Sequence, residues 1–146
     1  MNGTPDYLVL VNGENRLPEN YTDNVTILSV ENTLGEKKLV EEKTYAAFLR
    51  LREDLLNNDG LQIELLGGYR TIQQQEETFT NYQNKFGLEY ASKYAARPGH
   101  SEHHTGLAID VGILLDGKLF RGIAELLSVD HLFQTVHQKL PRYGFL

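Results

Sequence analysis

Apolar residues fall along this chain in short phased stretches separated by polar turns, and the phase changes from stretch to stretch. Residues 7–11 form a short β-rich run closed by Asn12-Gly13, and residues 25–30 form another, so two strands are predicted near the start. From about Lys38 to Asn57 the spacing of Tyr45, Phe48, Leu49, Leu55 and Leu56 is helical, and Asn57-Asn58-Asp59-Gly60 supplies the stop. Leu61, Ile63 and Leu65 then alternate with Gln62 and Glu64 ahead of Gly67-Gly68, the pattern of a half-buried strand running into a tight loop that carries Tyr69 and Arg70.

Thr71 with Gln74 three residues later has the form of a capping box, so a helix should begin there and run to about Lys85, with Ile72, Phe79, Tyr82 and Phe86 as its apolar stripe. Gln75 falls within that stripe and should point inward. A second short helix is predicted over residues 88–96, ended by Arg97-Pro98-Gly99, and a polar loop follows at residues 100–105. Leu107, Ile109, Val111 and Ile113 alternate as one face of a strand, which leaves Ala108, Asp110 and Gly112 on the other. Asp116-Gly117 turns the chain into a hairpin strand at residues 118–120. Val129, Leu132, Phe133, Val136 and Leu140 mark a last helix stopped by Pro141.

The chain has 146 residues, 40% of them hydrophobic, enough for one domain with a core and too few for two. A formal charge of -6 with scattered basic residues, Lys37-Lys38 being the only adjacent Lys/Arg pair, argues against nucleic acid and against an anionic membrane surface. With no cysteine, any metal must rest on His, Asp or Glu. The first six residues lack the features of a signal peptide, and no stretch approaches the roughly 20 apolar residues of a membrane helix. The expected compartment is therefore the cytoplasm, or the cell envelope if a leader has been removed.

Chemistry should sit in the segment Ser101 to Asp110, where a loop histidine, His103, precedes a strand aspartate among small neighbours. A carboxylate buried in an apolar strand must be paired, hydrogen-bonded or bound to metal, and imidazole with carboxylate suits zinc. The residues alone leave alternatives open: Asp110 could cap a loop or pair with an arginine, His103 could be one polar loop residue among several, and Ser101 could be a nucleophile beside His103. No HExxH, phosphate-binding loop or nucleophile elbow is present.

The pattern Ser-x-His-x-x-Gly-x-Ala-x-Asp, met at every fixed position from Ser101 to Asp110, is similar to the signature of the zinc D-alanyl-D-alanine peptidases. The wider string from Arg97 to Asp110 resembles their VanY group, as do Gly68-Tyr69-Arg70-Thr71 with Gln75 and the opening Leu8 to Asn12 with Leu17-Pro18. The resemblance implies an α+β fold, Hedgehog/DD-peptidase-like, with helices packed on one side of a small antiparallel sheet in a single domain spanning residues 1–146. It implies Zn2+ held by His103 and Asp110, Arg70 stabilising the developing oxyanion, and Gln75 and Ser101 contacting substrate. The implied substrate is a peptidoglycan stem peptide ending in D-Ala, with D,D-dipeptidase, L-alanyl-D-glutamate endopeptidase and a non-catalytic stem-binding module as alternatives. His100 and His104 border the signature as rim residues, and Tyr69, Tyr90 and Tyr94 are read as packing residues that could line a groove.

In the family a later Glu-Pro-Trp-His segment brings the third zinc ligand and the general base. Here the sequence ends at Tyr143-Gly144-Phe145-Leu146 without any tryptophan, so the expectation is a C-terminally incomplete domain with weak or no turnover. His131 and His137 are weak substitutes as ligands, and Glu102 and Glu125 as the base. A missing strand would leave a sheet edge open to self-association.

Overall fold

The computed structural model describes Val11, residues 14–121, residues 135–136 and residues 138–143. Most of the first predicted strand, most of the last helix stripe, Glu125, His131 and His137 lie outside the described residues.

Among the described residues two small antiparallel sheets and three helices make up an α+β fold. In the first sheet β1 (Ile27–Glu31) pairs with β2 (Lys37–Glu41), and in the second β3 (Gln62–Gly67), β4 (Asp110–Leu115) and β5 (Lys118–Phe120) lie in that order. The small antiparallel sheet expected is present, divided among the described residues into these two parts. The β4–β5 turn is the predicted two-residue hairpin: Asp116 and Gly117 take φ of 50° and 78°, the left-handed pair whose twist matches the strands it joins.

The first helix is shorter at its start than its apolar spacing suggests. Lys37–Glu41 is a strand, because its backbone completes the pairing with β1, and α1 (Glu42–Asp59) begins only afterwards. Glu41 makes the switch. Its buried carboxylate accepts from Lys43 N, Thr44 N and Thr44 Oγ1 at 3.0–3.1 Å, satisfying helix-start donors that have no intrahelical partner. Gly60 closes the helix in a left-handed conformation, as the Asn-Asn-Asp-Gly stop predicts. The face that α1 buries is centred on Ala47, Phe48, Leu51 and Leu55, so Leu56, expected inside, stands 53% exposed.

Phe48, Leu51 and Leu55 meet Val40, Ile63, Leu65 and Ile113 from the strands, with Leu61 and Val136, to form the main core. A smaller cluster of Val11, Leu17 and Tyr21, with Val25 and Ile72 against it, seats the N-terminal segment. On β3 the alternation is incomplete, since Glu64 is buried along with Ile63 and Leu65. Its carboxylate receives the N–H and hydroxyl of Thr33, while Asn32 Nδ2 donates to Leu65 O, so the β1–β2 turn is strapped to β3 by polar contacts.

Helix α2 (Ile72–Phe86) opens with the predicted capping box, Thr71 Oγ1 accepting from Gln74 N at 3.0 Å and Gln74 Oε1 from Thr71 N at 2.9 Å. Its expected stripe is only partly inside: Gln75 is buried, whereas Phe86 is 56% exposed and stacks on Tyr90 of α3 (Leu88–Tyr94). Leu107 and Ile109 precede β4 and do not belong to it. Beyond the last helical residues, Leu140–Tyr143 continues as a 3-10 turn through Pro141 and is tied to α1, with Lys139 Nζ 2.5 Å from Asp54 and 2.6 Å from Asp59, and Tyr143 OH donating to Asp54 at 2.6 Å.

The rotation of α1 is checked by paired truncations. Leu51→Ala, at a fully buried position, should cost about 2–5 kcal/mol in chemical unfolding, whereas Leu56→Ala should stay within about 0.5 kcal/mol. Comparable losses would place the core face of the helix wrongly.

Candidate metal and substrate site

The chemistry-bearing loop is a 3-10 turn, Glu102–Thr105, in which side chain to backbone hydrogen bonds reinforce the backbone bonds His104 N to Ser101 O and Gly106 N to His103 O. Ser101, 6% exposed, caps it by accepting from His103 N at 3.2 Å. Thr105 Oγ1 donates to Glu102 O at 2.7 Å and accepts from Leu107 N at 3.0 Å. Gly106 leaves the turn with φ 76°, a left-handed conformation that favours glycine. Its carbonyl accepts from Glu41 N, joining the loop to the start of α1.

His103 Nδ1 lies 2.7 Å from Gly68 O. A carbonyl only accepts, so Nδ1 carries the proton and the neutral ring turns the Nε2 lone pair outward. Nε2 is 3.4 Å from Asp110 Oδ1. The Asp110 hydrogen bond, with the Gly68 contact, holds the imidazole above its ordinary pKa against the effect of burial, and His103 holds the Asp110 carboxyl below its own. The carboxylate itself is 57% exposed, so the argument that an apolar strand forces a partner on a buried Asp110 does not apply. Asp110 stands at the first residue of β4, opposite a bulge in β3, and Gly67 faces it where a Cβ would come within 2.7 Å of Oδ2.

Arg70 is fixed from both ends. Its N–H donates to His103 O at 3.0 Å, and Nη1 donates to Gln75 Oε1 at 2.7 Å. Gln75, 2% exposed and inward as expected, donates through Nε2 to Ala96 O at 2.6 Å. Both ends of its amide are therefore engaged within the chain, and its direct effect here is to aim the guanidinium.

His104 is not a rim residue. It is 1% exposed, Gly99 N donates to its Nε2 at 3.1 Å, and Nδ1 is 2.7 Å from Arg70 O. The Gly99 N–H requires a lone pair at Nε2, which puts the proton on Nδ1 and leaves both ring nitrogens satisfied in the neutral form. Burial first, with the nearby Arg70 and His103 charges opposing a further proton, holds its pKa below the ordinary value. Ser101 faces neither ring nitrogen of His103, which removes the nucleophile reading. Tyr69 lines the two clefts described below, whereas Tyr90 and Tyr94 stack on each other at the surface and line neither.

Those clefts meet at Tyr69 and Arg70. One, of about 220 Å³, lies against residues 16–22 and His104; the other, of about 430 Å³, runs between β2 and α2 over Gly67 and Gly68. The His103–Asp110 pair fits a zinc ion. Ligands of a tetrahedral zinc with bonds of about 2.0–2.1 Å stand roughly 3.3 Å apart, close to the separation seen and longer than a charged hydrogen bond of about 2.7–2.9 Å. A ligand histidine anchored through its other nitrogen to a carbonyl is also the usual outer-sphere arrangement. Among the described residues no cluster of three His, Cys, Asp or Glu is present.

The pattern that defines the family VanY: D-alanyl-D-alanine carboxypeptidase matches residues 37–146, three quarters of the sequence. The chain belongs to that family. It is 34% identical over 113 residues to a putative carboxypeptidase, YodJ, of Bacillus subtilis, covering 75% of this chain and 41% of that one. The crystal structure of the vancomycin-resistance D,D-pentapeptidase VanY from a VanB-type cassette, a Zn(II) complex, superposes with a TM-score of 0.71 at 25% identity, covering 94% of this chain and 73% of that one. VanYB bound to D-alanine-D-alanine superposes at 0.69 and 26% identity, with 95% and 73% covered. The chain spans 33–49% of the length of the curated VanY-type relatives it matches.

Sequence reasoning missed the support given by Gly68 and His104. His-His in the signature and Gly-Gly at a strand end were legible, but the histidine rings meet main-chain groups, the carbonyls of Gly68 and Arg70 and the amide of Gly99, which leave no mark in side-chain identity.

The neutral His104 strut predicts a pH effect with a definite sign. The unfolded chain takes up the His104 proton near the ordinary value of about 6.5 and the folded chain only at lower pH, so this residue's contribution falls as pH drops below about 6.5. His103, with a raised pKa, acts oppositely, gaining as pH falls through its folded value. In thermal melts from about pH 7 to about pH 5 the parent should therefore lose more stability than His104→Gln, which retains a polar side chain without the titration. Equal losses would contradict the strut.

Proposed function

We propose that this chain carries the zinc and substrate half of a D,D-carboxypeptidase site that acts on peptidoglycan stem peptides or precursors ending in D-Ala-D-Ala. The observation that carries the reading is the Nε2 of His103 held 3.4 Å from Asp110 by a carbonyl anchor, beside an arginine aimed by Gln75. Its relatives bound to Zn(II) and to D-alanine-D-alanine support the metal and the substrate class.

His103 and Asp110 would hold the zinc, which when bound supplies Lewis-acid polarisation of the scissile carbonyl and lowers the pKa of its water towards about 7. Arg70 keeps donors beyond the one given to Gln75, and an arginine held at its backbone and at its guanidinium loses little freedom when it binds a carbonyl oxygen that becomes anionic. Gln75 and Ser101 act through Arg70 and His103, the first by orienting the guanidinium and the second by capping the turn. Closing the site takes a further ligand and a general base, which the family brings from its later segment.

One observation favours a second reading, a module that binds stem peptides without hydrolysing them: no third metal donor joins the pair among the described residues. Release of D-Ala from a stem peptide separates the two.

The test is zinc binding by calorimetry on the chain and on His103→Ala and Asp110→Ala. About one zinc per chain is expected, weakened more than about tenfold in each variant. No saturable binding, or affinity unchanged in both variants, would overturn the metal site.

A further inference from the structure

The larger cleft contains the one adjacent basic pair of an otherwise acidic chain. Lys37 and Lys38 form part of the wall on β2, Gly67 and Gly68 form the floor, and Gln74 and Glu77 of α2 stand on the opposite wall. The cleft reaches the site at Arg70, which lines it together with Gly67 and Gly68. Gly67 packs on Asp110, the Gly68 carbonyl anchors His103, and Tyr69 N donates to Leu39 O at 2.5 Å, so the strand bearing the lysines is bonded to the site's own floor.

Resting on the function proposed above, we infer that this cleft is the subsite for the part of the peptide upstream of the scissile bond, and that Lys37 and Lys38 select a residue bearing a free carboxylate there. The spacing supports it. A strand advances about 3.3 Å per residue, so Lys37 lies roughly 7 Å along β2 from Leu39; about two residues of an extended ligand whose reactive end lies at Gly68 span that length, and the next residue upstream falls beside the lysines. Arg70 stands at that reactive end, which leaves the lysine pair for a second negative group.

The charges are available. Lys38 meets Glu36 only loosely, at 4.0 Å, with the glutamate 45% exposed, and Lys37 makes no ion pair among the described residues. Glu77 across the cleft opposes a plain anion and accommodates an amine on the same ligand. The cleft therefore fits a peptide with a carboxylate on its β2 side better than a free anion such as phosphate.

The probes are three peptides built on acetyl-L-Ala-γ-D-Glu-L-Lys-D-Ala-D-Ala: the parent, its counterpart with the glutamate carboxylate amidated, and one amidated at the C-terminus. Binding to the full chain with zinc present is measured by calorimetry at low and high salt. Amidating the glutamate should weaken binding about threefold to fivefold at low salt and less at high salt, as for a partly exposed charge pair. In K37Q/K38Q the parent and glutamate-amidated peptides should bind alike, and the exposed K37Q alone should reduce the difference. Equal affinities for those two peptides in the parent protein, or a preference that survives in K37Q/K38Q, would overturn the subsite while leaving the function standing. A double variant that instead loses only the effect of C-terminal amidation would also overturn it, by assigning the lysines to the terminal carboxylate. Failure of all three peptides to bind would overturn the function and the subsite together.

Discussion

The site depends on the close approach of two backbones at Gly68. A Cβ there would stand 2.1 Å from the Leu39 carbonyl oxygen, so no other residue fits without moving β2, and the adjacent peptide gives Leu39 O its partner in Tyr69 N. The same glycine turns its carbonyl to His103 Nδ1. One position thus joins the first sheet to the second, sets the histidine tautomer and forms the floor of the larger cleft. Arg70 follows two residues later, already bonded through its N–H to His103 O.

Around that contact the Glu102–Thr105 turn is held by main-chain groups more than by side-chain packing. Carbonyls at Gly68 and Arg70 and amides at Gly99 and His103 meet His103, His104 and Ser101. Such an arrangement costs little side-chain entropy and leaves Nε2 of His103 and the exposed carboxylate of Asp110 uncommitted to the core. It also explains why a 3-10 turn of four polar residues can lie against β-structure: nearly every polar atom that it buries has a partner.

Much of the fold was legible where local pattern and tertiary need agree. The capping box at Thr71, the Gly60 stop and the Asp116-Gly117 hairpin are local devices and fall where the residues place them. Reading failed where long-range pairing overrode local spacing. Lys37–Glu41 continues a helical pattern on paper but is a strand because β1 needs a partner, and Glu64 looks solvent-facing until Thr33 arrives from the β1–β2 turn. His103, Asp110, Arg70 and Gln75 were singled out through the family resemblance, and the structure brings them into two contacting pairs. The inward turn of Gln75 followed from helical geometry alone. The exposure of Asp110 and the burial of His104 did not, because each is set by a neighbouring backbone.

The account rests on a metal-ready His103, with its proton on Nδ1 and a lone pair on Nε2. Nitrogen NMR of the histidine rings, recorded above the pH at which His103 loses its charge and then with zinc added, tests this most directly. The prediction is a protonated Nδ1 that stays protonated while zinc shifts only Nε2. A ring protonated on Nε2, or zinc shifting Nδ1, would contradict the Gly68 anchor and the site built on it.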